Sequence, residues 1–583
     1  MRHLFRCFVK KDVCNCLRRC YGSLSVRIST QTDQERRNEK NLHDLKPKNV
    51  SSKKRSFSSA PTEETIFKSP RPAEKLPVVS LSDYMFSRFN KFGSKNALVD
   101  DATGTTYTYS QLEELSRNVG SFLYRSGLRK NDVICYYGTN NPEFALLLLG
   151  CSSVGVILTT ANPAYTSGEL ERHMEHSGAK MLVTVPPLIP KVQEAEIKNV
   201  IVIGGADGCR PFSDLLADDG KCFPSDVTID PHEDIVILPY SSGTTGLPKG
   251  VMLSHFNVVA NLRQFKHSTV TTTEDNNFAV LPFYHIYGMA PILFGTLQDG
   301  GTLVTTPGFD PEGFLKAIVK HKISQLHIVP PIVLFMARHP VVDKFDLSHV
   351  RNVICAAAPL GEALTNEFND KRQKKIRQGY GLTETSPVVS LDDEDITVGS
   401  IGRLVSNTEA KFVNPETGKS LGINETGELC VRGPQNMKGY LENEKATKEM
   451  IDEDGWLHTG DVGHMGENGC IVVSDRLKEL IKYKGLQVAP AELEDLLHKH
   501  PAVQDVAVIG MPDDRAGELP RAYVVLKPNL EIHAHDLMKY VEDHVSDYKK
   551  LRGGVEFMKE IPKSPSGKIL RRVLKDQLPS SQI

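Results

Sequence analysis

No excess of charge of either sign marks this chain: over 583 residues, 70 Lys and Arg stand against 72 Asp and Glu, a net charge of −2. That balance argues against nucleic acid or an anionic membrane as the partner of the whole chain. Disulfide patterning is absent too, because the 11 cysteines are odd in number and scattered. Cys14, Cys16 and Cys20 crowd together, but no second pair or histidine spacing completes a zinc pattern. Cys135, Cys151, Cys355 and Cys470 sit within apolar segments, as free thiols of a reducing compartment do. There is no internal repeat. One uncharged stretch reaches the length of a membrane span, Phe144 to Ala161 (FALLLLGCSSVGVILTTA). It divides into a leucine-rich half and a β-branched half ahead of Asn162-Pro163, so it reads as a buried helix followed by a central strand.

The overall neutrality conceals an asymmetry. Residues 1 to 60 hold 15 Lys and Arg against 5 Asp and Glu, and the first 30 contain a single acid, Asp12. This serine-rich, acid-poor segment without a long apolar block has the composition of a mitochondrial transit peptide, and the alternative is a basic tail that is retained. RCYGS at Arg19 to Ser23 and RSFSSA at Arg55 to Ala60 resemble matrix-protease cleavage neighbourhoods. The final tripeptide Ser581-Gln582-Ile583 is not the SKL peroxisomal address. A mitochondrial location is expected, with peroxisome and cytoplasm as alternatives.

What is present, and most informative, is SSGTTGLPKG at Ser241 to Gly250. Gly243, Gly246 and Gly250 allow the backbone to turn its N–H groups inward. The hydroxyls of Ser241, Ser242, Thr244 and Thr245, with the Lys249 charge, can then donate to phosphate oxygens. It is not a Walker A loop, because Lys249 lies between Pro248 and Gly250 instead of between Gly and Ser or Thr. A run of turn-forming residues can equally be a flexible linker. Context favours the phosphate reading: the apolar run Ile235 to Leu238 precedes the loop, and Val251 to Leu253 follows it, with Ser254 placed to cap a helix.

From about Leu76 onward strand-like and helix-like segments alternate. Val133 to Tyr137, Val156 to Thr159 and Met181 to Val185 are extended, and Ser110 to Ser126 and Ser167 to Ser177 are helical. The same rhythm resumes after the glycine loop, and it predicts α/β layers with mainly parallel sheets. Short strands and turns from about Gly399 to Val473 predict a small antiparallel unit. Beyond Asp475 the pattern changes, with Pro490 to His498 helical and Val503 to Ile509 extended, and a second, smaller domain is expected.

Further polar islands punctuate the chain. GYGLTET, Gly379 to Thr385, combines hydroxyls with a carboxylate, a set that suits Mg²⁺ and a triphosphate. WLHTGD, Trp456 to Asp461, ends in an acid able to accept from ribose hydroxyls. DRLKELIKYKG, Asp475 to Gly485, is a basic run that could also be one solvated helix face. PKSPSGKILRR, Pro562 to Arg572, places Lys568 after a Ser-Gly turn and before a helix. Together with GELCVRG at Gly427 to Gly433 and LPFYHIYG at Leu281 to Gly288, these islands and their order resemble the adenylate-forming superfamily, in its acyl-CoA synthetase, coumarate-CoA ligase and luciferase branch.

The resemblance covers roughly residues 76 to 575. It implies an α/β fold with a large, multi-layer N-terminal domain of residues 76–474 that includes a small β unit. A hinge at 475–478 and a smaller, mobile α+β lid of residues 479–575 would follow, with residues 1–60 outside the fold. It implies ATP, Mg²⁺ and coenzyme A acting on an apolar-tailed carboxylic acid, such as a fatty acid or a coumarate-like acid. By resemblance, Ser241 to Gly246 and Lys249 hold the β- and γ-phosphates, with Thr244 also catalytic. Gln378, Gly379, Tyr380 and Thr383 border the adenylate, Glu384 takes Mg²⁺, and Asp461 and Arg476 hold the ribose. Lys568 bridges the substrate carboxylate and the α-phosphate, and His285 lies beside that carboxylate. Tyr287, Ala357, Pro387 and Val388 line the acyl pocket. For thioester formation the lid turns about Lys478, bringing Lys482 to the adenylate and Lys484 and Gly485 to the pantetheine. Two departures stand out. Gly308 precedes Phe309-Asp310 where plant coumarate ligases carry a lysine, and Cys355 to Leu360 reads CAAAPL in place of SGAAPL. A luciferase-like oxygenase and a non-catalytic nucleotide-binding scaffold remain alternatives. A peptide-synthetase adenylation protein is disfavoured, since no GGxS-type carrier segment follows Lys568.

Overall fold

Two large sheets, each with a parallel interior, carry most of the chain. The computed structural model describes residues 64–578 apart from 225, 242–247, 267, 269–270, 394, 396, 514 and 565–566. The basic segment 1–60, with Cys14, Cys16 and Cys20, lies outside the described residues.

The first large sheet has eight strands and centres on Ile157–Ala161, Val133–Tyr137 and Ala179–Thr184. Its interior strands run parallel and are apolar on both faces, because helices cover both sides. At one side Ile235–Ser241 turns back antiparallel into Lys249–Ser254, with Ser241 opposite Lys249. The second sheet has nine strands, among them Asn352–Cys355 and Ile376–Gly381, again with a parallel interior. A continuous apolar core joins both sheets to helices such as Glu143–Ser153. That helix and the strand Ile157–Ala161 divide the uncharged run as expected, and among the described residues no helix is long and apolar enough to cross a membrane.

Local chemistry sets the helix starts. Thr166 and Glu169 form a reciprocal capping box at Ser167–Ser177, and Ser254 with Asn257 does the same at His255–Gln264. The helix Tyr109–Arg125 opens after Thr108, the N-cap, whose hydroxyl accepts from Gln111 N–H.

A five-stranded antiparallel sheet holds Glu409–Val413, Gly427–Arg432, Leu457–Met465 and Ile471–Arg476 over its own core. Its edge is Phe67–Lys68, so the fold takes in residues ahead of the expected start at 76. A two-residue edge strand carries no periodicity by which to read it. The last sheet is built on the long hairpin Val503–Asp513 and Gly517–Leu526. The helices Pro490–His498 and Ala534–Glu542 cover one face, and Arg571–Lys575 packs on the other. The run from Asp475 to Gly485 is not a helix. It finishes one strand at Arg476, turns through 477–480 and begins the next at Ile481. In Ile481–Tyr483 the side chains alternate buried, exposed, buried, a period of two that one helical basic face would not give.

Candidate active site

The hairpin Ile235–Ser241 and Lys249–Ser254, the end of the strand Ile376–Gly381, the segment 281–287 and the C-terminal turn before Lys568 surround one cavity of about 1090 Å³. Open α/β sheets place ligands at such strand ends, where the chain leaves the sheet and polar groups are unpaired.

Ser241 and Lys249 stand at the cavity as the two ends of the glycine loop. Ser242, Gly243, Thr244, Thr245 and Gly246 lie outside the described residues. Beside them, Glu384 is buried in the turn Thr383–Thr385 and accepts from Ser241 Oγ at 2.9 Å and from Tyr440 Oη at 2.8 Å. Both bonds fall on Oε1, and among the described residues Oε2 has no protein donor. A hard carboxylate oxygen beside a hydroxyl fits Mg²⁺, which binds one or two carboxylates and completes its shell with phosphate and water. Lys249 Nζ rests 4.8 Å from the centre of the Tyr440 ring.

A second polar group forms where the antiparallel sheet meets the cavity. Tyr380 Oη donates to Asp461 Oδ2 at 2.5 Å, and Arg476 Nε lies 3.2 Å from Asp461 Oδ1. Asp461 and Arg476 are cross-strand neighbours, so the sheet register itself brings the ion pair together. Burial raises the Asp461 carboxyl above its ordinary range, opposed by the Arg476 charge and the Tyr380 hydrogen bond. Lys568 faces the same cavity. Burial pushes its ammonium below the ordinary 10.5, and Arg476 adds to this while Glu479 and Asp461 oppose it.

The third part of the wall is less polar. His285, Tyr287, His327, Ala357, Pro387 and Val388 line it. Burial holds both His285 and His327 down at about 4, so each imidazole is neutral at neutral pH. Tyr287 N–H donates to His285 Nδ1 at 3.2 Å, which places the remaining ring proton on Nε2.

Of the residues expected from sequence, Gly379, Tyr380, Thr383 and Arg476 border the cavity, as does Lys478 in the turn 477–480 between two sheets. Gln378 does not. It is buried one residue earlier on the strand, and its N–H donates to Asp392 Oδ2 at 2.8 Å. Lys482, Lys484 and Gly485 are exposed and stand apart from the cavity wall. Lys484 and Gly485 form a two-residue hairpin turn, with φ of 49° and 81°. That is the left-handed pair a tight β-hairpin requires. Sequence reasoning missed Tyr440, His327 and Glu428. Tyr440 reaches the site because Gly439–Tyr440 pairs with Lys249–Ser254, a partner nearly 190 residues away. Nothing local in the sequence signals that pairing.

Residues 85–441 match the AMP-binding enzyme family, and residues 492–568 match the AMP-binding enzyme C-terminal domain. A 4-coumarate–CoA ligase 2 of Petroselinum crispum is 43% identical over 545 residues, spanning 90% of this chain and 99% of the relative. A 4-coumarate–CoA ligase 1 of Narcissus pseudonarcissus is 42% identical over 539 residues, spanning 89% and 98%. Among solved structures, ATP-bound MatB from Rhodopseudomonas palustris superposes with a TM-score of 0.79 at 26% identity, covering 87% of this chain and 100% of that one. The anthranilate CoA ligase AuaEII in complex with anthranoyl-AMP gives 0.79 at 25% identity, covering 86% and 98%. The chain belongs to the AMP-binding enzyme family, in its acid–thiol ligase branch, whose chemistry runs on ATP, Mg²⁺ and coenzyme A.

Proposed function

We propose that this cavity joins an apolar-tailed carboxylic acid to AMP and then passes the acyl group to coenzyme A, the acid being hydroxycinnamate-like or a medium- or long-chain fatty acid. The observation that carries the reading is the convergence of Lys568, His285, Glu384, Tyr380 and Arg476 on one cavity, with Asp461 buried directly behind Tyr380 and Arg476 and bonded to both. An oxygen of the substrate carboxylate attacks the α-phosphorus, the bond to the bridging oxygen breaks, and pyrophosphate leaves. The coenzyme A thiolate then attacks the acyl carbon and AMP departs.

The first step gathers negative charge, so its catalysis is mainly positioning and neutralisation. Lys568 supplies a cation between carboxylate and α-phosphate. His285, neutral and carrying its proton on Nε2, donates to the carboxylate without adding charge. Asp461 accepts from the ribose hydroxyls, with Arg476 and Tyr380 holding its carboxylate in place. Ser241 to Gly246 and Lys249 wrap the β- and γ-phosphates, with Gly379 and Thr383 beside the adenylate. Mg²⁺ at Glu384 would neutralise phosphate charge.

The cavity's less polar wall and the names of the plant relatives favour a hydroxycinnamate-like acid over a short one. Residues 479–575 act as a lid turning at 475–478 on the domain of residues 76–474. In the second pose it presents Lys482, Lys484 and Gly485. The basic composition of residues 1–60 supports import into the mitochondrion. The deciding measurement is coenzyme A-dependent AMP release across acetate, medium- and long-chain fatty acids, benzoate and 4-coumarate. Turnover should be greatest with 4-coumarate or a fatty acid and poorest with acetate. Preference for acetate would overturn the substrate assignment, and no AMP release with any acid would overturn the reaction.

A further inference from the structure

Glu428, Cys430 and His458 bring an oxygen, a sulfur and a nitrogen to within 4.8 Å of one another, and none of the three has a part in the reaction above. The sheet builds this arrangement. Glu428 and Cys430 lie two apart on the strand Gly427–Arg432, and Cys430 is paired directly with His458 on Leu457–Met465. A shift of register between Glu428 and Cys430 brings the Gly460 N–H to Glu428 Oε1, at 3.1 Å.

His458 Nδ1 is 3.4 Å from Cys430 Sγ and 3.0 Å from Glu428 Oε2. One ring nitrogen carries at most one proton, yet two groups able to become anions converge on it. A divalent cation satisfies all three atoms together. In a tetrahedral zinc site the nitrogen–sulfur and nitrogen–oxygen edges are about 3.5 Å and about 3.3 Å, close to these separations. The outer partners are also in place. Asp452 Oδ2 is 3.5 Å from His458 Nε2, the carboxylate that orients a metal-binding imidazole, and the Gly460 N–H fixes the free oxygen of Glu428. Cys430 is fully buried, whereas Glu428 and His458 border the main cavity, so a fourth position opens toward it.

We propose that Glu428, Cys430 and His458 form a binding site for a thiophilic divalent cation of the zinc class, with its fourth position open to the nucleotide cavity. Asp452 is a positioning residue, acting through the imidazole. An ion here sits on the strand that carries Asp461 and restrains Thr459 and Gly460, which line the cavity.

The test uses full-length protein stripped with chelator, with Cys7, Cys14, Cys16 and Cys20 replaced by serine so that the N-terminal thiols do not contribute. Co²⁺ serves as the spectroscopic probe. One equivalent should produce thiolate-to-metal charge-transfer absorption together with tetrahedral visible bands, and Zn²⁺ should bleach both. Cys430→Ser should abolish the charge-transfer band, and Asp452→Asn should weaken Co²⁺ binding roughly tenfold or more. Circular dichroism verifies folding of each variant. If Cys430→Ser does not fold, Glu428→Gln and Asp452→Asn carry the test, since each must weaken Co²⁺ binding without removing the thiol. No charge-transfer band in the starting protein, an unchanged band in Cys430→Ser, or unchanged affinity in both carboxylate variants would overturn the site.

Discussion

Lys568 lies in a wall where burial and Arg476 both disfavour its charge while Asp461 and Glu479 sustain it. Its ammonium therefore titrates below 10.5. The charged form is the one that adenylation needs, so activity is retained below that depressed value and lost as pH rises through it. We predict an alkaline limb in pyrophosphate exchange lying below 10.5, displaced upward in Lys568→Arg because guanidinium stays charged. A limb that does not move in the arginine variant would exclude Lys568 as its source. Lys568→Ala should slow acyl-AMP formation roughly a hundredfold or more, the scale of losing a transition-state donor, while thioester formation from synthetic adenylate is largely spared. Equal loss in both steps would show that the residue supports the fold instead. At this scale the short polar motifs pointed to residues that come together in space: Lys568, Glu384 and His285 border the cavity, and Asp461 lies behind it, bonded to Tyr380 and Arg476. Gln378, expected at the adenylate from its motif, does not border the cavity, because it is buried and its N–H is taken by Asp392.

At the scale of elements, the two domains meet at a helix end. The helix Glu362–Arg372 has no side-chain cap of its own at Gly361. Asp495, on the helix Pro490–His498 of the C-terminal domain, accepts from Ala363 N–H at 3.2 Å and caps it across the interface. A Cβ at Gly361 would come within 2.1 Å of Asp495 Oδ1, although the backbone there, at φ −66°, suits any residue. Gly361→Ala should therefore weaken this docked arrangement by about the worth of one cap, ~1 kcal/mol, and slow adenylation about fivefold. Thioester formation from supplied acyl-AMP should be unchanged. A substitution that slowed neither step would remove the contact from the mechanism. The connecting turn gives the complementary experiment. Lys478 lies in the turn 477–480, between the last strand of the antiparallel sheet and the first strand of the C-terminal sheet. Proline there fixes φ near −65°. Lys478→Pro should leave pyrophosphate exchange largely intact and stop acyl-CoA production from synthetic adenylate. Loss of both steps in a folded protein would rule out a hinge at this residue. None of these contacts could be read in advance, because Gly361 and Asp495 are joined only by docking.

For the whole molecule, the described fold begins with the edge strand Phe67–Lys68, and Arg71 then ties that edge to the second large sheet through Leu391 O at 2.9 Å and Asp393 Oδ1 at 2.6 Å. Removing residues 1–60 should leave melting temperature and turnover unchanged while abolishing mitochondrial delivery of a fused reporter. Loss of activity would instead make the basic segment part of the enzyme. Removal that extends through Arg71 should lower the melting temperature, because it strips the strand and the buried guanidinium together.

The sequence by itself determined the alternation of elements, the capped helix starts, the division of the uncharged run into helix and strand, and the polar motifs that define the site. Each of those signals is local: hydrophobic period, cap chemistry, or a few side chains within about ten positions. Only the tertiary structure decided that Tyr440 and Ser241 share the Glu384 carboxylate. It alone also decided that Cys430 faces His458 across a shifted register, and that Lys568 turns into the cavity while Lys482 turns away. These depend on strand register and domain docking between segments far apart in the chain, where a shift of one residue would turn every side chain of a strand to the opposite face.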